Sequence, residues 1–160
     1  MSVEAEIESH SKMIGRIASS YERDDSLRQD LLQEIVIALL ISLPKYRGEG
    51  TKKAFIARVA QNTCLTHVRK QVSQKMQTYD TVEVEDDRIR ADDRIEQQQK
   101  SDALQAAVRG LPIKLRQVII LALEGLSYRE IGESIGISEN NVGVRFTRAK
   151  GQLIQLMGKE

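Results

Sequence analysis

Asn140, Asn141, Val144, Thr147 and Arg148 fall on one face when the residues after Ser138 are projected as a helix at about 100° per residue. Arg145 and Lys150 lie on the flanks of that face. Each residue type suits a partner in a DNA groove. An amide pairs with the edge of adenine, a guanidinium with guanine or with phosphate, and a valine or threonine methyl with the methyl of thymine. A merely solvated face would be richer in glutamate and lysine, whereas this one carries a single acid, Glu139. The chemistry is recognition of a duplex, with no bond made or broken.

Such a face must be held by a rigid frame, and the flanking residues supply one. Ser127 caps a first helix, and Glu130, three residues on, closes a capping box. Gly136 stands where that helix must end in the left-handed conformation, and Ser138 opens the next helix. Leu126 with Ile131, and Ile137 with Val142, occupy the positions of hydrophobic staples. Val142, Phe146, Ala149, Leu153 and Leu156 form the opposite stripe, which is expected to face a core. The stretch from Ser127 to Lys150 therefore reads as a helix-turn-helix whose second helix reads DNA, with Ser138 at its mouth. Upstream, a short helix over Leu104–Arg109 ends at Gly110. Pro112 then starts a helix over Ile113–Glu124, which Gly125 terminates; Leu115, Val118, Ile119 and Ala122 supply its core face. The lobe holds four helices in all.

A second constellation lies near the middle of the chain. Pro44 is followed by KYRGEGTKK, a basic loop with two glycines, and then by a helix expected over about Lys52 to Gln71. Ile56, Val59, Ala60 and Thr63 mark one face of it, and Ala54, Arg58, Gln61, Leu65 and Arg69 the other. A basic loop feeding a helix with arginine and glutamine outside suits a nucleic-acid backbone. Before it, Met13, Ile14, Ile17, Ala18 and Tyr21 make a first helix. Asp24, Asp25 and Ser26 offer a cap for a second, which runs through Leu43 and stops at Pro44. The inward stripe of that second helix is Leu32, Ile35, Val36, Leu39 and Leu43. Its other face reads Asp30, Gln33, Glu34, Ile37 and Ile41. A helix apolar nearly all round is either sandwiched in its own core or docked on something else, and the pattern leaves both open.

Charge distribution supports a two-lobed chain of 160 residues. The net charge is +2 over residues 1–72, −4 over residues 73–102 and +3 over residues 103–160. Two mildly basic lobes flank an acidic connector, a pattern suited to a polyanionic partner. In that connector the apolar periodicity fails, so a solvated linker is expected. Asp86, Asp87, Asp92 and Asp93 lack the spacing of a metal-binding motif. Glu4, Glu6 and Glu8 precede no apolar run, which argues against a signal peptide. Ile35–Ile41, the longest apolar run, is too short to span a bilayer. A cytoplasmic protein with no membrane partner is expected. Cys64 reads as a small buried filler, and His10 and His67 are isolated, so no enzyme and no cofactor are expected.

Two separate motifs now resemble one family. Leu111-Pro112, Arg116, Val118, Gly125-Leu126-Ser127-Tyr128, Glu130-Ile131, Gly136-Ile137-Ser138 and Arg145 to Lys150 look like the promoter-reading fourth region of a bacterial sigma factor. Asp30-Leu31-Leu32-Gln33-Glu34, Tyr46-Arg47-Gly48-Glu49-Gly50, and Ala60-Gln61-Asn62 to Arg69 resemble the second region. Two such regions joined by a short linker, with the other regions absent, are similar to the extracytoplasmic-function (ECF) group of the sigma-70 family. The family often has tryptophan where this chain has Phe55, and a basic residue where it has Gly143.

The resemblance implies an all-α protein of two small helical domains joined by an acidic linker, the second a four-helix domain with the helix-turn-helix. Residues 1–72 would dock on core RNA polymerase and melt the −10 element, residues 73–102 would be the linker, and residues 103–160 would read the −35 element. Asp30, Gln33, Glu34, Ile37 and Ile41 become the surface for the β′ coiled coil, and the second lobe would touch the β flap. Tyr46, Arg47, Lys52, Lys53, Phe55, Arg58, Gln61, Asn62 and Arg69 become the site for the opened strand. Promoter DNA and polymerase are the implied partners, with an anti-sigma factor left open. The residues alone also fit a conventional helix-turn-helix regulator with a sensing or dimerising first lobe, or a helical adaptor that binds no DNA.

Overall fold

The structure, a computed structural model, describes residues 2–77 and 96–158. The residues Asp86, Asp87, Asp92 and Asp93 of the connector lie outside the described residues. Every regular element among those described is a helix.

The first lobe holds α1 (Val3–Ser9), α2 (Ser11–Ser19), α3 (Asp25–Ser42) and α4 (Lys52–Gln77), with a 3-10 turn over Leu43–Lys45 between the last two. Helix α1 was not legible in the apolar pattern, because only Val3 and Ile7 could face a core. Its start is made locally: the Ser2 hydroxyl accepts the Ala5 N–H at 3.0 Å, and Glu4 and Glu6 lie in the first turn, where the helix dipole favours acids. Burial of Ile7 and a Lys52–Glu6 ion pair at 3.2 Å tie it down. Helix α2 buries Met13, Ile14, Ile17 and Ala18; it ends at Ser19, so Tyr21 is buried from just beyond the helix.

Asp24 caps α3 by accepting the Leu27 N–H at 2.9 Å. The buried stripe is Leu31, Ile35, Leu39 and Leu43, rather than the expected one through Leu32 and Val36. Leu32 is only half-buried and Val36 is 36% exposed. With apolar residues at nearly every position, two stripes one residue apart fit the sequence about equally, and packing on α4 and α2 selects between them. Helix α4 starts at Thr51, whose hydroxyl accepts the Ala54 N–H at 3.1 Å, and continues past the expected Gln71 to Gln77. It buries Ile56, Ala57, Ala60 and Cys64. Burial also pushes the Cys64 thiol upward, away from its reactive thiolate form. Contrary to the outer-face expectation, Gln61 and Leu65 are buried as well, because this helix is covered on two sides.

The second lobe holds α5 (Glu96–Arg109), α6 (Ile113–Leu123), α7 (Tyr128–Ile135) and α8 (Glu139–Met157). Helix α5 begins at Glu96 rather than Leu104, so both helices bordering the connector reach into the region read as linker. Those extensions are rich in glutamine, lysine and glutamate, which favour helix without producing an apolar stripe. Leu115, Val118, Ile119, Ile120 and Leu121 of α6 are all buried, and α8 packs across α6, α7 and α5. Helix α8 outruns the lobe, which leaves Ile154, Leu156 and Met157 exposed and removes Leu156 from its expected place in the core. No helix among the described residues is long and apolar enough to cross a membrane.

Candidate nucleic-acid interface

The helix-turn-helix is built as its caps dictate. The Ser127 hydroxyl accepts the Glu130 N–H at 3.1 Å, and the Glu130 carboxylate accepts the Ser127 N–H at 2.9 Å, so two free donors of the first turn are satisfied reciprocally. Gly136 ends α7 with φ of 79°, and the Gly136 and Ile137 N–H groups both donate to the Gly132 carbonyl, at 2.7 and 3.0 Å. Ser138 then caps α8 by accepting the Asn141 N–H at 3.1 Å. One feature of the turn escaped the sequence reading: a Cβ on Gly132 would stand 2.6 Å from the Ile137 carbonyl oxygen. The two helices approach that closely only because residue 132 has no side chain.

On α8, Val142, Ala149 and Leu153 are buried, while Asn140, Asn141, Val144, Thr147, Arg148 and Lys150 are exposed and Arg145 is half-buried. Asn140, Val144, Thr147 and Arg148 line a shallow groove with Tyr128, a residue of α7 that sequence reasoning did not place there. The Tyr128 ring leans on Phe146 at 5.8 Å between centroids and passes beside Gly143. The signal available in sequence was slight: an aromatic in the first turn after a cap, facing a glycine of the next helix. Arg148→Ala or Asn141→Ala is expected to lower discrimination at one or two base pairs by about 1–3 kcal/mol. Lys150→Ala should weaken binding to all sequences alike and flatten the salt dependence. Competition binding across single-base variants of a site, repeated at two salt concentrations, separates the two effects. Equal weakening on every sequence by both kinds of change would overturn this choice of groove-facing side.

In the first lobe, Gly48 and Gly50 adopt positive φ, and the Tyr46 hydroxyl donates to the Gly50 carbonyl, which closes the loop before α4. The Tyr46 ring stacks at a tilt against Phe55 with centroids 5.2 Å apart, and the Lys52 ammonium lies 5.7 Å from the Tyr46 centroid. Two aromatic rings with the Lys52 ammonium beside them form a small platform of the kind that stacks unpaired bases, while Arg47 is exposed in the loop and the Lys53 ammonium lies beside Gly125. Arg58, Asn62 and Arg69 are exposed along the same helix. Gln61 is not: it is 2% exposed, accepts from the Tyr21 hydroxyl at 2.9 Å and donates to the Gln117 carbonyl of α6 at 3.4 Å. Burial raises the Tyr21 phenol, which keeps it a donor for that bond.

A third surface lies on α3. Asp30, Gln33 and Glu34 are exposed, and Ile37 and Ile41 are 56% and 60% exposed, all on the side opposite Leu31, Ile35 and Leu39. Of the two readings left open for that apolar face, burial inside the protein's own core is excluded. His67, isolated in the sequence, pairs with Glu22 at 2.8 Å in the interior, and the second Glu22 oxygen accepts the Asp24 N–H at 3.1 Å where α3 begins.

The two lobes that carry these surfaces match known families. Residues 7–74 match the family described as Sigma-70 region 2, and residues 101–153 match that described as Sigma-70, region 4. The chain is 30% identical to the ECF RNA polymerase sigma factor SigE of Mycolicibacterium smegmatis, over 96% of its own length and 60% of the relative's. It is 28% identical to the RNA polymerase sigma factor SigZ of Bacillus subtilis, over 84% of this chain and 74% of that one. The chain thus spans a little less than two thirds of the length of SigE. Among solved structures, the fold matches the sigma factor RpoE in complex with the anti-sigma factor NepR from Bartonella quintana. There the TM-score is 0.78 and the identity 19%, over 98% of this chain and 97% of that one. CnrH in complex with the cytosolic domain of CnrY gives a TM-score of 0.69 at 18% identity, over 97% of this chain and 86% of that one. With both regions matched in order and the helices of each in place, the chain belongs to the sigma-70 family of transcription initiation factors, among its ECF members.

Proposed function

We propose that this protein binds core RNA polymerase and directs it to a class of promoters, acting by binding alone. The observation that carries the reading is the presence on one chain of three unlike surfaces: a groove-reading helix, an aromatic and basic loop, and an apolar-acidic stripe. A conventional regulator needs the first of these and has no use for the other two. The exposed face of α8 reads the −35 element through Ser138, Asn140, Asn141, Val144, Arg145, Thr147, Arg148 and Lys150. The loop and outer side of α4 take the opened −10 strand through Tyr46, Arg47, Lys52, Lys53, Phe55, Arg58, Asn62 and Arg69. Gln61 joins them only if its cover is removed. The α3 stripe of Asp30, Gln33, Glu34, Ile37 and Ile41 docks on the β′ coiled coil, and the exposed apolar end of α8 suits the β flap. In this reading residues 1–72 and 103–160 are the two functional domains, residues 73–102 connect them, and the protein works in the cytoplasm. The structural neighbours were captured with an anti-sigma factor or a cytosolic partner domain, which supports an anti-sigma partner here too.

Run-off transcription with purified core polymerase, with and without this protein, tests the proposal. Free protein is expected to bind duplex promoter DNA weakly, since each lobe is small and only mildly basic. Together with polymerase it should bind tightly and specifically. Tight, sequence-specific gel shifts by the free protein, with no stimulation of run-off product, would favour the conventional regulator.

A further inference from the structure

Arginines from separate elements converge on one open cleft that has no part in the three surfaces described above. The cleft, of about 390 Å³, is lined by Tyr21, Glu22 and Arg23 in the turn between α2 and α3, by Gln71 of α4, and by Arg109 of α5 and Arg116 of α6. Backbone carbonyls hold two of the guanidiniums in place. Arg109 donates from Nη1 to the Ser19 carbonyl at 2.6 Å, and Arg116 donates from Nε and Nη2 to the Leu111 carbonyl at 3.3 and 3.0 Å. The Arg116 guanidinium also lies 5.5 Å from the Tyr21 ring centroid, and both arginines are half-buried. A guanidinium has more N–H donors than these bonds use.

We propose that this cleft binds the oligophosphate group of a small anion, of the class carried by nucleoside di- and triphosphates. The charges there call for an anion. Burial pushes the Arg109 guanidinium below its ordinary range, and Arg23 and Arg28 push it further, against the pull of Asp102 and Glu22. Burial lowers Arg116 as well. Half-buried cations that repel one another gain more from a bound anion than solvated ones do. The nearby acids are engaged or exposed. One oxygen of Glu22 pairs with His67 at 2.8 Å, and the other accepts the Asp24 N–H at 3.1 Å. Asp25 pairs with Arg28, and Asp102 stands in solvent, where its field is screened. Geometry then selects the class. A single carboxylate satisfies one guanidinium fork, whereas a chain of linked phosphates offers a separate pair of oxygens to each of Arg23, Arg109 and Arg116. The cleft also falls in the range of about 300–1,000 Å³ that holds small ligands. A nucleic-acid backbone is better served by a continuous basic track than by such a recess.

Calorimetric titration of the full chain with ATP, GTP, inorganic tripolyphosphate and sulfate tests the site. The three oligophosphates should bind one per chain and raise the melting temperature, and sulfate should bind far more weakly. Tighter binding of the nucleotides would make a nucleotide the source of the phosphates; equal affinity would make the phosphate chain itself the ligand. Arg23→Gln and Arg109→Gln should each weaken binding by about tenfold, the loss of a charge-assisted hydrogen bond. Lys12→Gln removes the same charge from an exposed position of α2 outside the cleft and should leave the affinity unchanged. A circular-dichroism melt identifies any variant that has merely unfolded, and Arg23, which is exposed, carries the test if Arg109→Gln does so. Equal weakening by Arg23→Gln and Lys12→Gln would reduce the binding to diffuse charge attraction and overturn the site. So would promoter duplex that displaces tripolyphosphate and itself binds Arg23→Gln less well, since the cleft arginines would then serve the DNA backbone. Absence of binding by all three oligophosphates would overturn it outright.

Discussion

Glu34→Lys and Ile37→Asp are each expected to abolish association with core polymerase while leaving the melting temperature close to that of the wild type. Both side chains leave α3 on the side away from Leu31, Ile35 and Leu39, and both are exposed, so neither substitution places a charge in the interior. Against a partner surface of complementary charge, Glu34→Lys exchanges attraction for repulsion, which costs several kcal/mol at a close contact. Ile37→Asp leaves an unpaired carboxylate at a contact that should be dry, with a cost of about the same order. The internal control is in the same turn, on the opposite face. Ile35→Asp buries a charge among α2, α3 and α4 and should lower stability by about 4 kcal/mol or more, with loss of every function at once. Thermal melts and a polymerase pull-down on the three variants separate docking from folding. Folded Glu34→Lys and Ile37→Asp proteins that bind polymerase normally would sink the docking role of the stripe.

What was legible in the sequence was whatever a few adjacent residues decide. Ser127 with Glu130, Gly136, Ser138 and Asp24 act within one turn, and each cap stands where the residue types require it. The outward stripe of α3 was readable only as a face: Asp30, Gln33 and Glu34 share it with Ile37 and Ile41, but the pattern left burial and docking both open, and exposure of the two isoleucines decides between them. What stayed hidden depends on neighbours distant in sequence. Leu31 displaces Leu32 from the core because α4 and α2 arrive from one side, and nothing in α3 itself states which side. Gln61 carries the polarity of a surface residue, yet Tyr21 and Gln117 lie 40 and 56 positions away and satisfy it in the interior. Glu124 reads as the plain end of a helix until Arg16, 108 positions away, closes on it. The extra turns of α4 and α5 were missed for another reason, since glutamine-rich helix leaves no apolar period to detect. The site was therefore readable wherever it sits on a single helix, and unreadable where the two lobes meet.

Gly132→Ala and Gly143→Ala should move stability in opposite directions, although both put the same methyl group on a helix of the same motif. At Gly143 the new Cβ would meet the Tyr128 ring at 3.5 Å, an ordinary van der Waals contact. Alanine there gains up to about 1 kcal/mol of helix propensity, a rise of roughly 4–8 °C if the lobe melts as a unit of its size. At Gly132 the same propensity gain is offset by a Cβ forced to 2.6 Å from the Ile137 carbonyl oxygen, a backbone atom with no rotamer to move. Overpacking of this kind costs about 1–3 kcal/mol. The displaced atom belongs to the turn that sets the angle between α7 and α8, so the groove-reading helix tilts with it. Gly132→Ala should therefore melt lower than wild type and lose binding to duplex containing the upstream promoter element. Gly143→Ala should melt higher and keep that binding unless its methyl narrows the groove beside Val144. Calorimetry on both variants, with duplex binding measured beside it, gives the answer. A Gly132→Ala protein that melts above the wild type would show that the turn relaxes freely and that the close approach of α7 to α8 sets no constraint on residue 132.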